Sequence, residues 1–156
     1  MVKREVAMLR AIPVTEVQFK LLVELQHAEG DEAKRVIAAR FGCKFSHFSR
    51  GINYVFPEYL YLDDERTPLR HWYIVRTAEE MIDLLREYKG SIRSISLDHD
   101  LGTERTGYDV LLWIEREVVE NNYKPPIIEL HTGNMSAMEK MRLATKKIRE
   151  LAAERA

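Results

Sequence analysis

Ionisable side chains gather at three points of the sequence, each directly after a short apolar run. The three groups are Asp63 and Asp64, then Asp98, His99 and Asp100, and last His131. Carboxylates that lie close together repel one another, and a hard divalent cation such as Mg²⁺ or Mn²⁺ relieves the repulsion while keeping positions open for phosphate oxygens. Histidine donates and accepts protons near neutral pH. These residue types predict a phosphate- or metal-handling site, provided that the fold brings the three groups together.

Each group also has a plainer interpretation. Adjacent acids at a strand end can be solvated loop residues or helix caps, and His131 can simply hydrogen-bond the turn that follows it. Thr132 and Asn134 can be turn formers in the same way. Arg66 is well placed to meet an anion but can equally be a turn residue. We expect Arg76 to lie in a solvated face.

The elements that must position these groups alternate between strand and helix. The predicted strands are Glu58–Leu62, His71–Val75, Ile92–Leu97 and Ile127–Leu130, and the predicted helices lie between Thr77 and Gly90, from Tyr108 to Asn121, and from Ser136 onward. This alternation predicts a parallel sheet of about four strands with right-handed crossovers and flanking helices. In such a sheet the ligand lies beyond the carboxyl ends of the strands, where all three ionisable groups fall.

The first 57 residues follow a different pattern. They predict helices over Glu16–Ala28, Glu32–Phe41 and Phe45–Ile52, and Pro57 then marks a boundary, so we expect a helical segment at 1–57 and an α/β domain at 58–156. Two short helices around a glycine suggest a helix-turn-helix, with the nucleic-acid contacts on its second helix at Lys44, His47 and Arg50. The alternative is a helical cap or an oligomerisation element.

Composition excludes some classes of protein. The chain has 156 residues, 46% of them hydrophobic, and a net charge of −1, so it predicts a folded protein without the dense basic patch that would identify a nucleic-acid binder by charge alone. Its single cysteine, Cys43, cannot form an intramolecular disulfide. No apolar run approaches the roughly 20 residues that a membrane helix needs. We expect a cytoplasmic protein, and the oligomeric state is not indicated.

The spacing of the strand-end residues resembles the response-regulator receiver domain, which has a flavodoxin-like fold. The resemblance implies that Asp63 and Asp64 are the metal-holding pair, that Asp98 is the phosphoacceptor and that Thr132 is the switch hydroxyl. We expect no counterpart of the fifth receiver strand or of its lysine, because the sequence ends after the helix that follows the fourth strand. The histidines at the strand ends also differ from ordinary receivers.

Three runs are more similar to one receiver-derived family, the cyclic-phosphate processing receiver domain. They are LDDERTP, SLDHDLGTERTGYDVLLWI and HTGN, and the similarity covers about Tyr59 to Arg149. The resemblance implies processing of cyclic or terminal phosphates on nucleotides or RNA.

We therefore expect a metal-dependent phosphoesterase, with Mg²⁺ or Mn²⁺ as its cofactor. The expected metal ligands are Asp63, Asp64, Asp98 and Asp100, the expected catalytic residues are Asp98, His99 and His131, and the expected phosphate contacts are Arg66, Thr132 and Asn134. A covalent phosphate on Asp98 is a further route, although the lysine that would stabilise it is missing. The alternative function is a non-catalytic, receiver-like regulator or binding module with a nucleic-acid-binding helical N-terminus.

Overall fold

The computed structural model of the chain describes residues 16–48, 52–68 and 71–156. The chain divides into two compact units. Among the described residues, those of the first unit fall within 16–59 and 68–73, and the second unit comprises Leu60–Thr67 and Ile74–Ala156. No helix within the described ranges has the length and apolar character needed to cross a bilayer.

The first unit contains two helices and a pair of strands. Helix α1 spans Glu16–His27, helix α2 spans Asp31–Arg40, strand β1 spans Cys43–Phe48 and strand β2 spans Ile52–Pro57. The two strands are antiparallel, with Cys43 opposite Pro57 and Phe48 opposite Ile52. Gly42 connects α2 to β1 with φ +70°, and a Cβ there would lie 2.5 Å from the backbone nitrogen of Tyr73. Only glycine fits this connection.

The predicted helix over Phe45–Ile52 is wrong, and the helix-turn-helix interpretation fails with it. Residues 43–48 and 52–57 form strands instead, while residues 49–51 lie outside the described part of the chain. The physical reason is that these segments are rich in aromatic and β-branched residues, which fit a pleated strand better than a helix. The predicted helices over Glu16–Ala28 and Glu32–Phe41 are confirmed to within a residue or so.

The second unit contains the α/β fold. Its strands are β3 (Tyr59–Leu62), β4 (Tyr73–Val75), β5 (Ser94–Leu97) and β6 (Ile127–Leu130), and its helices are α3 (Ala78–Glu87), α4 (Gly107–Asn121) and α5 (Met135–Glu154). The ends of β3 and β4 that lie at Tyr59 and Tyr73 belong to the first unit. Strand β4 is shorter than predicted because His71 has φ 68°, in the left-handed region that a strand cannot use.

The four strands form a parallel sheet in the order β4-β3-β5-β6. The receiver-like α/β architecture that the sequence predicts is therefore confirmed. Every residue of β5 is buried, as expected for an inner strand covered by helices on both faces. Because the strands run in the same direction, the residues that follow β3, β5 and β6 meet at one rim of the sheet.

Polar caps begin the three helices of this unit. The Thr77 hydroxyl accepts the backbone N–H of Glu80 before α3, and Thr106 and Asp109 form a reciprocal capping box at α4. The Asn134 side chain accepts the N–H of Ala137 before α5. Such caps satisfy backbone donors that have no partner within the helix. They fix the residue at which each helix begins.

Candidate functional site

A polar cleft of about 310 Å³ opens at the carboxyl ends of β3, β5 and β6. Its lining residues are Asp63, Asp64, Glu65, Arg66, Asp98, Asp100, Gly102, Gly133 and Asn134. Five of them carry carboxylates and one, Arg66, carries a positive charge. The cleft is therefore strongly anionic in the absence of a bound cation.

Three of these carboxylates form a compact cluster at the floor of the cleft. Asp63, Asp64 and Asp98 each offer an oxygen, and the three oxygens lie within 4.8 Å of one another. Asp63 is 1% exposed and Asp98 is 5% exposed, whereas Asp64 is more accessible to solvent. Removing two neighbouring carboxylates from water is costly unless a cation or hydrogen-bond donors compensate them. The cluster of three carboxylates therefore needs a cation or hydrogen-bond donors to offset its negative charge.

Backbone and side-chain donors converge on Asp63. Its Oδ1 accepts the backbone N–H groups of Glu65 at 3.0 Å and Arg66 at 2.6 Å. Its Oδ2 lies 2.9 Å from the Arg66 Nε and 3.3 Å from the His131 Nε2. Burial by itself would raise the pKa of Asp63, but these donors and positive charges outweigh it and hold the pKa below its usual range. Asp63 is consequently an ionised carboxylate in the fold's interior.

Arg66 bridges the two buried carboxylates. Besides its contact with Asp63, its Nη2 donates to the Oδ2 of Asp98 at 3.1 Å. The other oxygen of Asp98 accepts the backbone N–H of His99 at 2.7 Å. The guanidinium supplies the one positive charge that the described lining of the cleft contains.

His131 is held on three sides. Its Nε2 faces Asp63, its Nδ1 lies 2.7 Å from the hydroxyl of Ser96, and the ring of Tyr61 stacks on the imidazole with centroids 4.2 Å apart. A carboxylate only accepts hydrogen bonds, so Nε2 carries the proton and Nδ1 accepts from Ser96. Burial lowers the pKa of His131, against the opposing charges of Asp63 and Asp98. The imidazole is a fixed donor to Asp63.

A second network lies at the exposed edge of the cleft. The Nδ1 of His99 lies 2.7 Å from Asp100 Oδ1, and the side-chain amide of Asn134 donates to Asp100 Oδ2 at 3.3 Å. The hydrogen bond from His99 holds the pKa of Asp100 below its usual range, with a smaller contribution from Asn134. This network links the end of β5 to the start of α5.

Arg76 anchors the loop that carries the acid pair. Its Nη1 donates to the carbonyl oxygens of Asp63 at 2.8 Å and Arg66 at 2.9 Å, and its Nη2 donates to the hydroxyl of Thr67 at 3.3 Å. The expectation that Arg76 lies in a solvated face is wrong, because three loop acceptors surround its guanidinium. It holds the backbone from which Asp63 and Arg66 project.

The fold brings most of the predicted site residues together. The predicted residues that line the cleft are Asp63, Asp64, Arg66, Asp98, Asp100 and Asn134. His99 and His131 adjoin it through Asp100 and Asp63. Thr132 is buried, does not line the cleft, and accepts the backbone N–H of Asn134 at 3.2 Å, as a turn former does.

Residues 43–48 do not form the helix that was predicted to carry the nucleic-acid contacts of the first unit. Lys44 and His47 belong to β1, and Arg50 lies outside the described residues. For Lys44 and His47, the assignment to the exposed face of a recognition helix is wrong, because residues 43–48 are extended.

Sequence reasoning missed Ser96, Tyr61 and Arg76. A signal for Ser96 was present: Ser94 and Ser96 alternate with apolar residues in β5, and in a strand this spacing puts both on the same face as Asp98. Tyr61 carried a weaker signal of the same kind, two residues before Asp63. Nothing local to Arg76 indicates that it reaches a loop ten residues earlier in the chain.

Comparison with known proteins agrees with this geometry. The profile of the cyclic-phosphate processing receiver domain matches residues 58–147, which is more than half of the chain and contains every residue of the cleft. Neither the curated proteins nor the solved structures gave a match. From the matched profile, the receiver-like sheet and the acid cluster at its carboxyl rim, the chain belongs to the cyclic-phosphate processing receiver domain family.

Proposed function

We propose that this protein is a metal-dependent phosphoesterase that processes cyclic or terminal phosphates of nucleotides or RNA. The observation that carries the proposal is the charge of the cleft in a chain of this family: five carboxylates and one arginine line it. A phosphate brings further negative charge, so an additional cation is needed to offset the repulsion and to bind it tightly there.

The donor set fits a hard divalent cation. Asp63, Asp64 and Asp98 provide carboxylate oxygens within 4.8 Å of one another, and oxygen is the ligand that Mg²⁺ and Mn²⁺ prefer. The contact of the Arg66 guanidinium with two of these carboxylates supports the same conclusion, because it shows that the cluster attracts positive charge. Asp64 forms no hydrogen bond or ion pair with the described part of the chain. Asp100, which the sequence also predicts as a metal ligand, lies at the edge of the cleft and is not part of this cluster of three.

A bound cation would neutralise the phosphate and activate a water molecule as nucleophile. The protein's own residues would then orient the phosphate and protonate the leaving oxygen. His131 has its Nε2 beside Asp63, and His99 has its Nδ1 beside Asp100, so each is a candidate proton donor. Either would protonate the leaving oxygen from its imidazolium form as the P–O bond breaks, and would return to neutral imidazole. Asn134 offers an amide donor to phosphate oxygens, and Arg66 offers a guanidinium.

The first experiment is a turnover assay. Purified protein is incubated with 2′,3′-cyclic and 3′,5′-cyclic nucleotides and with RNA that ends in a cyclic phosphate, in Mg²⁺, in Mn²⁺ and with chelator, and products are separated by chromatography. We expect turnover that requires the metal and that falls at least about a hundredfold in Asp98→Asn, because the change removes a charged metal ligand.

Asp83→Asn is the matched control, since Asp83 is an exposed acid on α3 whose partner is Arg86. It should keep full activity. Binding of these substrates without turnover in any metal would contradict the phosphoesterase and favour a non-catalytic binding module.

A further inference from the structure

The carboxylate oxygens available to a cation are the ones that Arg66 contacts. Oδ1 of Asp63 is occupied by two backbone N–H groups, and Oδ1 of Asp98 by one. The remaining oxygens of both residues, their Oδ2 atoms, lie 2.9 Å and 3.1 Å from the Arg66 guanidinium. A metal ion held by Asp63, Asp64 and Asp98 would therefore require the same two oxygens.

Arg66 has a fixed backbone and a side chain with an open path to solvent. Its N–H donates to Asp63 and its carbonyl accepts from Arg76 at 2.9 Å, so the main chain is anchored on both sides. The side chain is 55% exposed. A long side chain on an anchored backbone can change rotamer without disturbing the fold.

We propose that Arg66 is an internal cation that competes with the metal for Asp63 and Asp98, and that metal binding releases its guanidinium to the phosphate. This inference rests on the proposed function, since it concerns the same metal and phosphate. In the metal-free protein Arg66 offsets the repulsion between two buried carboxylates. In the metal-bound protein the divalent ion does so, and Arg66 becomes a bidentate donor to the anion. Metal and phosphate thus bind with positive coupling.

The experiment measures binding by titration calorimetry, with Mn²⁺ and inorganic phosphate as probes. The key variant is Arg66→Lys, which keeps the positive charge but cannot reach both carboxylates with a planar fork. We expect Arg66→Lys and Arg66→Ala to bind Mn²⁺ roughly fivefold or more tightly than the wild type, the lower end of usual coupling between sites. A purely long-range effect of charge would leave Arg66→Lys equal to the wild type.

The second titration adds phosphate with and without saturating Mn²⁺. We expect Mn²⁺ to raise the phosphate affinity of the wild type, and Arg66→Ala to lose several-fold of that increase, because the released guanidinium is gone. Arg105→Ala is the matched control, since Arg105 has similar exposure, 56%, and pairs with Glu79 away from the three carboxylates. It should behave as the wild type in both titrations.

The Mn²⁺ titrations distinguish a failure of the Arg66 competition from a failure of the proposed phosphoesterase. Mn²⁺ binding that is equal in the wild type, Arg66→Lys and Arg66→Ala overturns the competition and leaves the phosphoesterase standing. No Mn²⁺ or Mg²⁺ binding to any of the proteins overturns both.

Discussion

Asp63 is the residue on which the site converges. It receives two backbone N–H groups, a guanidinium and an imidazole, although it is only 1% exposed. Such a buried acid is stabilised only while its partners stay in place. Ser96 contacts His131, and Arg76 contacts the carbonyl of Arg66. Both should therefore influence the site without touching a ligand.

Ser96→Ala tests the support of His131. The change leaves the Nδ1 of the partly buried imidazole without its donor, and we expect a loss of about 1–3 kcal/mol in the free energy of unfolding. Mn²⁺ affinity and turnover should fall as well, because the ring that faces Asp63 is no longer fixed. Urea denaturation and calorimetry measure these effects.

Ser94→Ala is the comparison, because Ser94 is buried in the same strand and donates instead to the carbonyl of Ile127 at 3.3 Å. It should lose stability but keep its Mn²⁺ affinity. If the two variants changed the affinity equally, Ser96 would have no specific role at the site.

Arg76→Ala tests the anchoring of the acid loop. Three hydrogen bonds to that loop disappear, and we expect a loss of about 2 kcal/mol in the free energy of unfolding together with weaker Mn²⁺ binding. Arg105→Ala, an exposed arginine paired with Glu79, should lose less than about 1 kcal/mol. Equal stabilities of the two variants in urea would show that Arg76 does not anchor the loop.

At the scale of elements, the start of α4 packs tightly against the end of β5. Gly107 is the first residue of that helix, and a Cβ there would lie 1.8 Å from the carbonyl oxygen of Asp98. Its N–H also donates to the carbonyl of His99 at 3.1 Å. The close approach positions the loop that carries Asp98 and His99, so this glycine has a packing role in the site.

Gly107→Ala should therefore be severely destabilising, by more than about 3 kcal/mol, because the backbone must move to admit one methyl group. Gly133→Ala is the control within the same cleft, since a Cβ at Gly133 meets nothing within 4 Å. It should change the melting temperature little. A Gly107→Ala protein as stable as Gly133→Ala would contradict the packing.

Strand β1 begins with a protected thiol. Cys43 is buried, and this burial, with a smaller effect of the Glu58 charge, raises the pKa of its thiol far above the usual value. A raised pKa leaves less thiolate at a given pH, and the thiolate is the reactive form. We expect alkylation by iodoacetamide at pH 8 to be at least about tenfold slower in the native protein than in urea. Equal rates would show that β1 does not bury this residue.

At the scale of the whole molecule, sheet topology assembles the site. The order β4-β3-β5-β6 sets the end of β3 beside the end of β5, and β6 adds His131 from the other side. The described lining of the resulting cleft contains polar and charged side chains and glycines, with no aromatic ring. Such a lining suits a phosphate and offers no stacking surface for a base.

We accordingly expect little discrimination between bases. For 2′,3′-cyclic nucleotides, kcat/KM should vary by less than roughly tenfold among the four bases, because contacts that a site makes equally with all substrates give no selectivity. Steady-state kinetics on the four nucleotides measure this. A preference of a hundredfold or more for one base would require a base-binding surface outside the described cleft.

The sequence by itself determined the elements of the α/β fold and the chemistry at their ends. Strand and helix periods, capping threonines and strand-end acids are local features, so β3, β5, β6 and the helices between them were predictable, as was the acid cluster. The helix predicted over Phe45–Ile52 was wrong, because residues 43–48 and 52–57 form paired strands. The aromatic and β-branched residues of these two segments favour strands, and their pairing with each other outweighed the helical spacing on which the prediction relied.

Only the tertiary structure decided which side chains meet. That Arg66 bridges Asp63 and Asp98, that His131 donates to Asp63, and that Arg76 holds the acid loop are contacts between residues up to 68 positions apart. They depend on which strands are neighbours and on which way each side chain points across them. Sequence periodicity indicates which side chains share a face of one element, but it describes one element at a time and does not tell which elements are neighbours.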